Sequence, residues 1–235
     1  YNAYNSYYYY LGLFGYSMGA TIQNLGIEGS ITIDNEDDYS AYIFMGAILG
    51  SGDNVLIQNC YNKASISSMI GAGNVYCAGI AGYNDYGTIT IKSCYNAGSI
   101  NFDVNPSFSY AYGITGISGN VNDCYNVGDI TVKGASRTAA CGIGGTYVNN
   151  CYNVGTITAE GLSTTSGCGY ASGITNGSSI YNCYNIGNIK AVGLGDDYGG
   201  AYAGGISYGT MTMFLGLSGT LTGALHNLTS LIPTV

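Results

Sequence analysis

The chain has no tryptophan, one histidine (His226), two prolines and five basic residues among 235. Each scarcity excludes something. Structural zinc takes four Cys or His ligands, and a single histidine with no CxxC pair offers no such set. The basic residues Lys63, Lys92, Lys133, Arg137 and Lys190 are scattered. A nucleic-acid footprint needs a basic stripe, so nucleic acid is not an expected partner. Charged residues make up 8% of the chain, far below the quarter usual in globular proteins. Disorder combines low hydrophobicity with high charge, and neither holds here. No run of eighteen apolar residues occurs, so no transmembrane helix is expected. Good helix formers are scarce, and no helical periodicity lasts beyond two turns.

What the chain has in quantity is Gly (39), Tyr (25) and Cys (8). Much of this sits in one recurring phrase: Asn59-Cys60-Tyr61-Asn62, Ser93-Cys94-Tyr95-Asn96, Asp123-Cys124-Tyr125-Asn126, Asn150-Cys151-Tyr152-Asn153 and Asn182-Cys183-Tyr184-Asn185. The cysteines lie 34, 30, 27 and 32 residues apart. A small residue follows four places later (Ala64, Gly98, Gly128, Gly155, Gly187) and an isoleucine six places later (Ile66, Ile100, Ile130, Ile157, Ile189). Two more copies appear with leucine in the cysteine slot, at Leu25–Thr32 and Leu215–Thr222. These match each other better than they match the middle copies, as end units of a solenoid do.

A second phrase repeats in step, with an apolar residue behind a small one. Its apolar members are Leu13, Ile48, Ile80, Ile114, Ile143, Ile174 and Ile206. Seven units result. The six residues from the Cys/Leu slot to the next Ile/Leu are invariant in length, whereas the other intervals vary by several residues. A fixed corner with elastic loops elsewhere is implied. Within units, apolar and polar residues alternate, as in Thr88-Ile89-Thr90-Ile91, which is the period of a strand. The fold class expected is all-β: a parallel β-solenoid (β-helix) of about seven rungs, with roughly three short strands per rung. The expected division is a Tyr-rich partial rung over 1–10, the solenoid over 11–222 and an apolar tail over 223–235. Tyr1-Asn2-Ala3 reads like Tyr95-Asn96-Ala97, so the chain is expected to begin within a repeat and to be a piece of something longer.

Stacked rungs predict three interior ladders, through the Cys/Leu slot, the following Ile/Leu and the second phrase. Side chains in an in-register stack point the same way, and a disulfide needs converging Cβ vectors. The slot cysteines are therefore expected as small buried hydrophobes. The asparagine after Cys-Tyr is expected at a corner, its amide serving turn backbone and the next asparagine. The small residue after it is expected to supply left-handed backbone. Tyr61, Tyr95, Tyr125, Tyr152 and Tyr184 should point outward as a fourth ladder and candidate contact face.

Acidic residues gather in loops. Asp34, Glu36, Asp37 and Asp38 are a weak calcium candidate, because oxygen-rich loops suit that ion; no other metal and no cofactor is indicated. No acid–base constellation stands out, so an enzyme is not expected. The run Tyr7, Tyr8, Tyr9, Tyr10 and the tail residues Leu225, Leu228, Leu231 and Ile232 are candidate assembly ends.

Gly79-Ile80-Ala81-Gly82-Tyr83-Asn84, then Gly87-Thr88-Ile89 and Ser93-Cys94-Tyr95-Asn96-Ala97-Gly98-Ser99-Ile100, resembles the GLUG-type repeats of bacterial surface proteins. The resemblance covers roughly residues 11–222. It implies a secreted or wall-attached bacterial protein with a β-helical stalk or adhesin region, and it carries over no catalytic residues. The expected function is a structural extracellular subunit that self-assembles end to end, its partner being itself. The alternative is an adhesin-type module contacting glycans, cell wall or host surfaces through its Tyr/Thr face.

Overall fold

Short Ile/Thr/Val/Tyr segments favour strands. Each here pairs with its counterpart one repeat away, because no tight hairpin turn joins neighbouring segments. The computed structural model describes residues 8–35, 42–70, 74–82, 87–104, 110–134, 136–174, 179–195, 200–206 and 221–225. Their strands pair in parallel, each with the equivalent strand of the preceding and following units. The chain is an all-β parallel β-solenoid of about five turns. The seven units expected are thus about five closed, regular turns with a less complete coil at each end. The last unit contributes Gly200–Ile206 and Leu221–Leu225, the latter strand crossing the expected tail boundary at 223.

A regular coil has four strands, not three. In the unit of Cys151 they are Arg137–Gly144, Tyr147–Asn149, Tyr152–Asn153 and Ile157–Gly161; we call these faces one to four. The extra strand arises because the expected Cys-Tyr strand is broken by a corner just before the cysteine. Asn24, Asn59, Ser93, Asp123, Asn150 and Asn182 take φ between 49° and 58° there. Asn and Asp tolerate this left-handed region better than other non-glycine residues.

The small residue two places after the asparagine was expected in that role and, from Ala64 onward, does not have it: Gly98, Gly128, Gly155 and Gly187 lack positive φ. They are small because rungs touch there. A Cβ on Gly128 would run into the carbonyl oxygen of Gly98 and come within 2.8 Å of Asn96 Nδ2. In the unit before it, the position next to Ala64 is held by Gly29, turned to φ 108°.

The interior divides into two lobes. One lies between faces one and four; the other fills the bend of faces two and three. Two expected ladders hold within the described residues. Ile31, Ile66, Ile100, Ile130, Ile157, Ile189 and Leu221 stand in register. Cys60, Cys94, Cys124, Cys151 and Cys183 are all buried, with Leu25 packed against them; Leu215 lies outside the described residues.

The third expected ladder needs correction at two rungs. Ile143 pairs with Ile117, not with Ile114, which stands against Ala140. The stretch Gly113-Ile114-Thr115-Gly116-Ile117-Ser118-Gly119 contains the phrase twice, and a bulge on face one selects the second copy. Leu13, on the first coil, is 57% exposed; no described residue stacks beneath it. A further ladder went unread: Ile22, Ile57, Ile91, Val121, Val148 and Ile180, each three residues before the Cys/Leu slot.

The lobe between faces one and four narrows along the axis. One interior row of face four runs Ile33, Ser68, Phe102, Val132, Ala159, Ala191, Gly223. A row of face one runs Tyr9, Ile43, Val75, Ala111, Thr138, Gly169, Ala201. At Gly169 the faces are so close that a Cβ would meet the carbonyl oxygens of Ala159 and Val192.

Candidate functional site

The corner carrying the repeated phrase is the most regular surface of the molecule. After the left-handed residue the cysteine points inward, the tyrosine outward and the asparagine inward. This alternation is the ordinary pleat of a strand. In-register pairing then repeats it, stacking each Tyr and each Asn on its counterpart.

The asparagines form a buried amide ladder. Nδ2 of Asn62, Asn96, Asn126 and Asn153 donates to Oδ1 of the next member at 2.7–2.8 Å. The second Nδ2 proton goes to the carbonyl two residues on, from 3.1 Å at Ala64 to 2.8 Å at Gly187. Both functions expected of the amide, serving the turn and serving the next rung, are present.

The cysteines do more than fill space. Each slot sulfur donates to the carbonyl two residues before it, at 2.9–3.2 Å. The sulfurs of Cys94 and Cys124 also accept: the Cys60 N–H donates to Cys94 Sγ and the Cys94 N–H to Cys124 Sγ, each at 3.3 Å. This second role was not read from the sequence, although a polar residue before every cysteine marked the corner that needs it. No disulfide links any of the eight cysteines. Burial pushes the Cys60 thiol above its ordinary value and raises Cys77 far more; Cys77 donates to Met45 Sδ at 3.6 Å.

The outward tyrosines stack with ring centroids 5.2, 4.9, 5.0 and 5.0 Å apart and planes within 9° of parallel. At the lower end Gly26 leaves room for the Tyr61 ring, which a Cβ there would strike. Lys63 Nζ lies 4.8 Å from that ring's centroid and 3.4 Å from Glu28, which accepts the Tyr61 hydroxyl proton at 3.1 Å. That bond raises the Tyr61 phenol; burial, followed by neighbouring phenols, raises Tyr125 and Tyr152. The column therefore presents ring edges and hydroxyls, because neighbouring rings cover each other's faces. Tyr184, the last member, is 40% exposed.

Other expected sites fall differently. Tyr8, Tyr9 and Tyr10 lie in the strand Tyr8–Leu11 on the edge of face one, all exposed. Leu225 ends the strand at the opposite edge of face four from Ser30–Asn35. Asp34 lies within Ser30–Asn35. Glu36, Asp37, Asp38, Tyr7, Leu228, Leu231 and Ile232 are outside the described residues. Among those described, no group of three or more His, Cys, Asp or Glu is placed to hold a metal, and no helix is long and apolar enough to cross a membrane. One charge cluster was not foreseen: on the outside of face four, Glu160 stands 2.6 Å from Lys190 and 4.0 Å from Lys133.

Neither a family model, nor a curated protein, nor a solved structure matches the chain.

Proposed function

We propose that the chain is a structural subunit whose copies stack end to end into a filament or surface stalk. The observation that carries this is the first coil. Among the described residues its strands Tyr8–Leu11, Phe14–Met18, Thr21–Gln23, Gly26–Ile27 and Ser30–Asn35 are each the outermost strand of a sheet. Unpaired strand edges template the addition of another chain. The opposite end of face four is the strand Leu221–Leu225. Laid on the next copy, it brings Leu221 over Ile31 and Thr222 over Thr32, continuing the ladder. Contacts between unlike ends propagate as open fibres. The GLUG resemblance supports an extracellular, bacterial surface setting for such a fibre.

Two of the sheets are seven strands deep. At about 4.8 Å per strand, one copy advances the axis by about 34 Å. Electron microscopy of undenatured protein is expected to show long fibres with that spacing. Dispersed rods at high concentration would overturn the proposal.

The second reading is an adhesin-type module, favoured by the outward column of phenol hydroxyls. Sugars stack on open aromatic faces, and this column covers its own. Any glycan contact therefore runs through hydroxyls and the Tyr184 end. Glycan-array binding that is lost in Tyr95→Ala plus Tyr125→Ala would favour this reading over scaffolding alone.

A further inference from the structure

We propose that the tyrosine column takes up one-electron oxidation and carries it to Tyr61, where the phenolic proton leaves for Glu28. The inference concerns a single copy and stands whether or not copies stack. Tyr61, Tyr95, Tyr125, Tyr152 and Tyr184 hold their rings 4.9–5.2 Å apart, centroid to centroid, and within 9° of parallel. Neighbouring π systems therefore adjoin along the whole row, and an electron has a ring to move to at every rung. The limits of the row lie within the repeats. Gly26 fills the slot beneath Tyr61, and the sequence places Gly216 in the corresponding slot after Tyr184.

The two ends of the column differ. Tyr184 is exposed, whereas the other four members are half-buried, so a one-electron oxidant in solution meets Tyr184 most readily. Tyr61 is the member whose hydroxyl has a protein acceptor among the described residues, Glu28 Oε1 at 3.1 Å. A phenol that loses an electron becomes a strong acid, so oxidation settles where a positioned base takes the proton. Lys63 Nζ, 4.8 Å from the Tyr61 centroid, disfavours a cation on that ring, and oxidation there is coupled to departure of the proton.

The step balances. One electron passes from Tyr61 through the column to the oxidant, and one proton passes from its hydroxyl to Glu28 Oε1. The products are a neutral phenoxyl, a protonated carboxyl and the reduced oxidant. The Glu28 side chain is 62% exposed and gives its proton on to water. The slot cysteines inside the corner do not compete. Cysteine oxidation follows thiolate character and exposure, whereas these sulfurs are buried and donate their protons to backbone carbonyls.

The test attaches a ruthenium polypyridyl photo-oxidant to the thiol introduced by Ile186→Cys. Ile186 is 45% exposed and lies on the same side of the chain as Tyr184, two residues away. Cys141, the one native cysteine not buried, is removed by Cys141→Ser. After flash oxidation with a nitroso spin trap present, mass spectrometry locates the trapped tyrosyl. The adduct is expected mainly on Tyr61, about 19 Å from Tyr184 at 4.8 Å per spacing, with a yield independent of protein concentration. Tyr95→Phe plus Tyr125→Phe keeps the rings but removes two phenols, and the adduct is then expected on Tyr152 and Tyr184. Glu28→Gln is expected to lower the Tyr61 share at least about tenfold, since a positioned base is worth about a hundredfold or more. These substitutions lie at the surface, and circular dichroism checks that each variant folds. Adduct confined to Tyr184 in the parent, a Tyr61 share unchanged by either variant, or a yield that rises with protein concentration overturns the inference.

Discussion

Asn126 shows how much rests on one side chain. Its amide donates to Asn153 and Gly128 and accepts from Asn96, with no surface exposed. Asn126→Ala leaves three buried groups short of a partner, each costing about 1–3 kcal/mol. Urea unfolding is expected to show a loss of at least about 2 kcal/mol. Asn126→Asp is expected to be worse near neutral pH, since a carboxylate cannot donate and would face two acceptor oxygens. The opposite case is Ser68, whose hydroxyl is buried without a hydrogen-bond partner among the described residues. Ser68→Ala removes that unmet group and is expected to stabilise the fold by about 1 kcal/mol; a lower midpoint would count against it.

Cys77 sets a pH dependence of its own. Its thiol is raised on folding above the ordinary 9.0 by burial, so the folded state holds the proton more tightly than the unfolded chain. Stability from this group is complete below pH 9 and declines as pH rises past it. Tyrosines titrate in the same range, so the comparison with a variant isolates the effect. Cys77→Ala is expected to flatten part of the loss of stability between about pH 9 and pH 11. Parallel curves for the two proteins would remove Cys77 from the account.

At the level of strands and corners, spacing was more legible than conformation. The fixed six-residue interval placed the Cys and Ile ladders correctly, because both lie on one corner where insertion would break the Asn ladder. Alternation gave strands, and identity at one period gave parallel stacking. What failed depended on contacts between distant residues. The doubled phrase at Gly113–Gly119 offered two registers, and only the neighbouring strand chose Ile117. The left-handed position was assigned to the glycines, although it belongs to the polar residue before each cysteine. Those glycines are instead required by the close approach of rungs. Gly128→Val is therefore expected to destabilise by about 1–3 kcal/mol through overpacking, with Ala64→Gly nearly neutral by comparison. Equal effects in thermal unfolding would return the glycines to a purely local turn role.

Across the whole molecule, each coil touches only its neighbours, so stability is close to a sum along one axis. Such an array frays from its ends. Among the described residues the first coil has one neighbour, exposes Met18 (71%) and Tyr16 (50%), and lacks the amide ladder, having Ile27 opposite Asn62. Hydrogen exchange of the dispersed chain is expected to be fastest in Phe14–Met18 and slowest at Tyr125–Asn126, in the middle of the ladder. Assembly changes only one end of that gradient. In fibres the outward-facing N–H groups of the first coil, those not already bonded to the second coil as Phe14 is, gain partners from the preceding copy, so Phe14–Met18 and Ser30–Asn35 are expected to slow while the central coils change little. Protection that rises uniformly, or not at all, in assembled material would mean that copies meet side by side. The tyrosine column, rather than the open coil, would then be the surface that joins them.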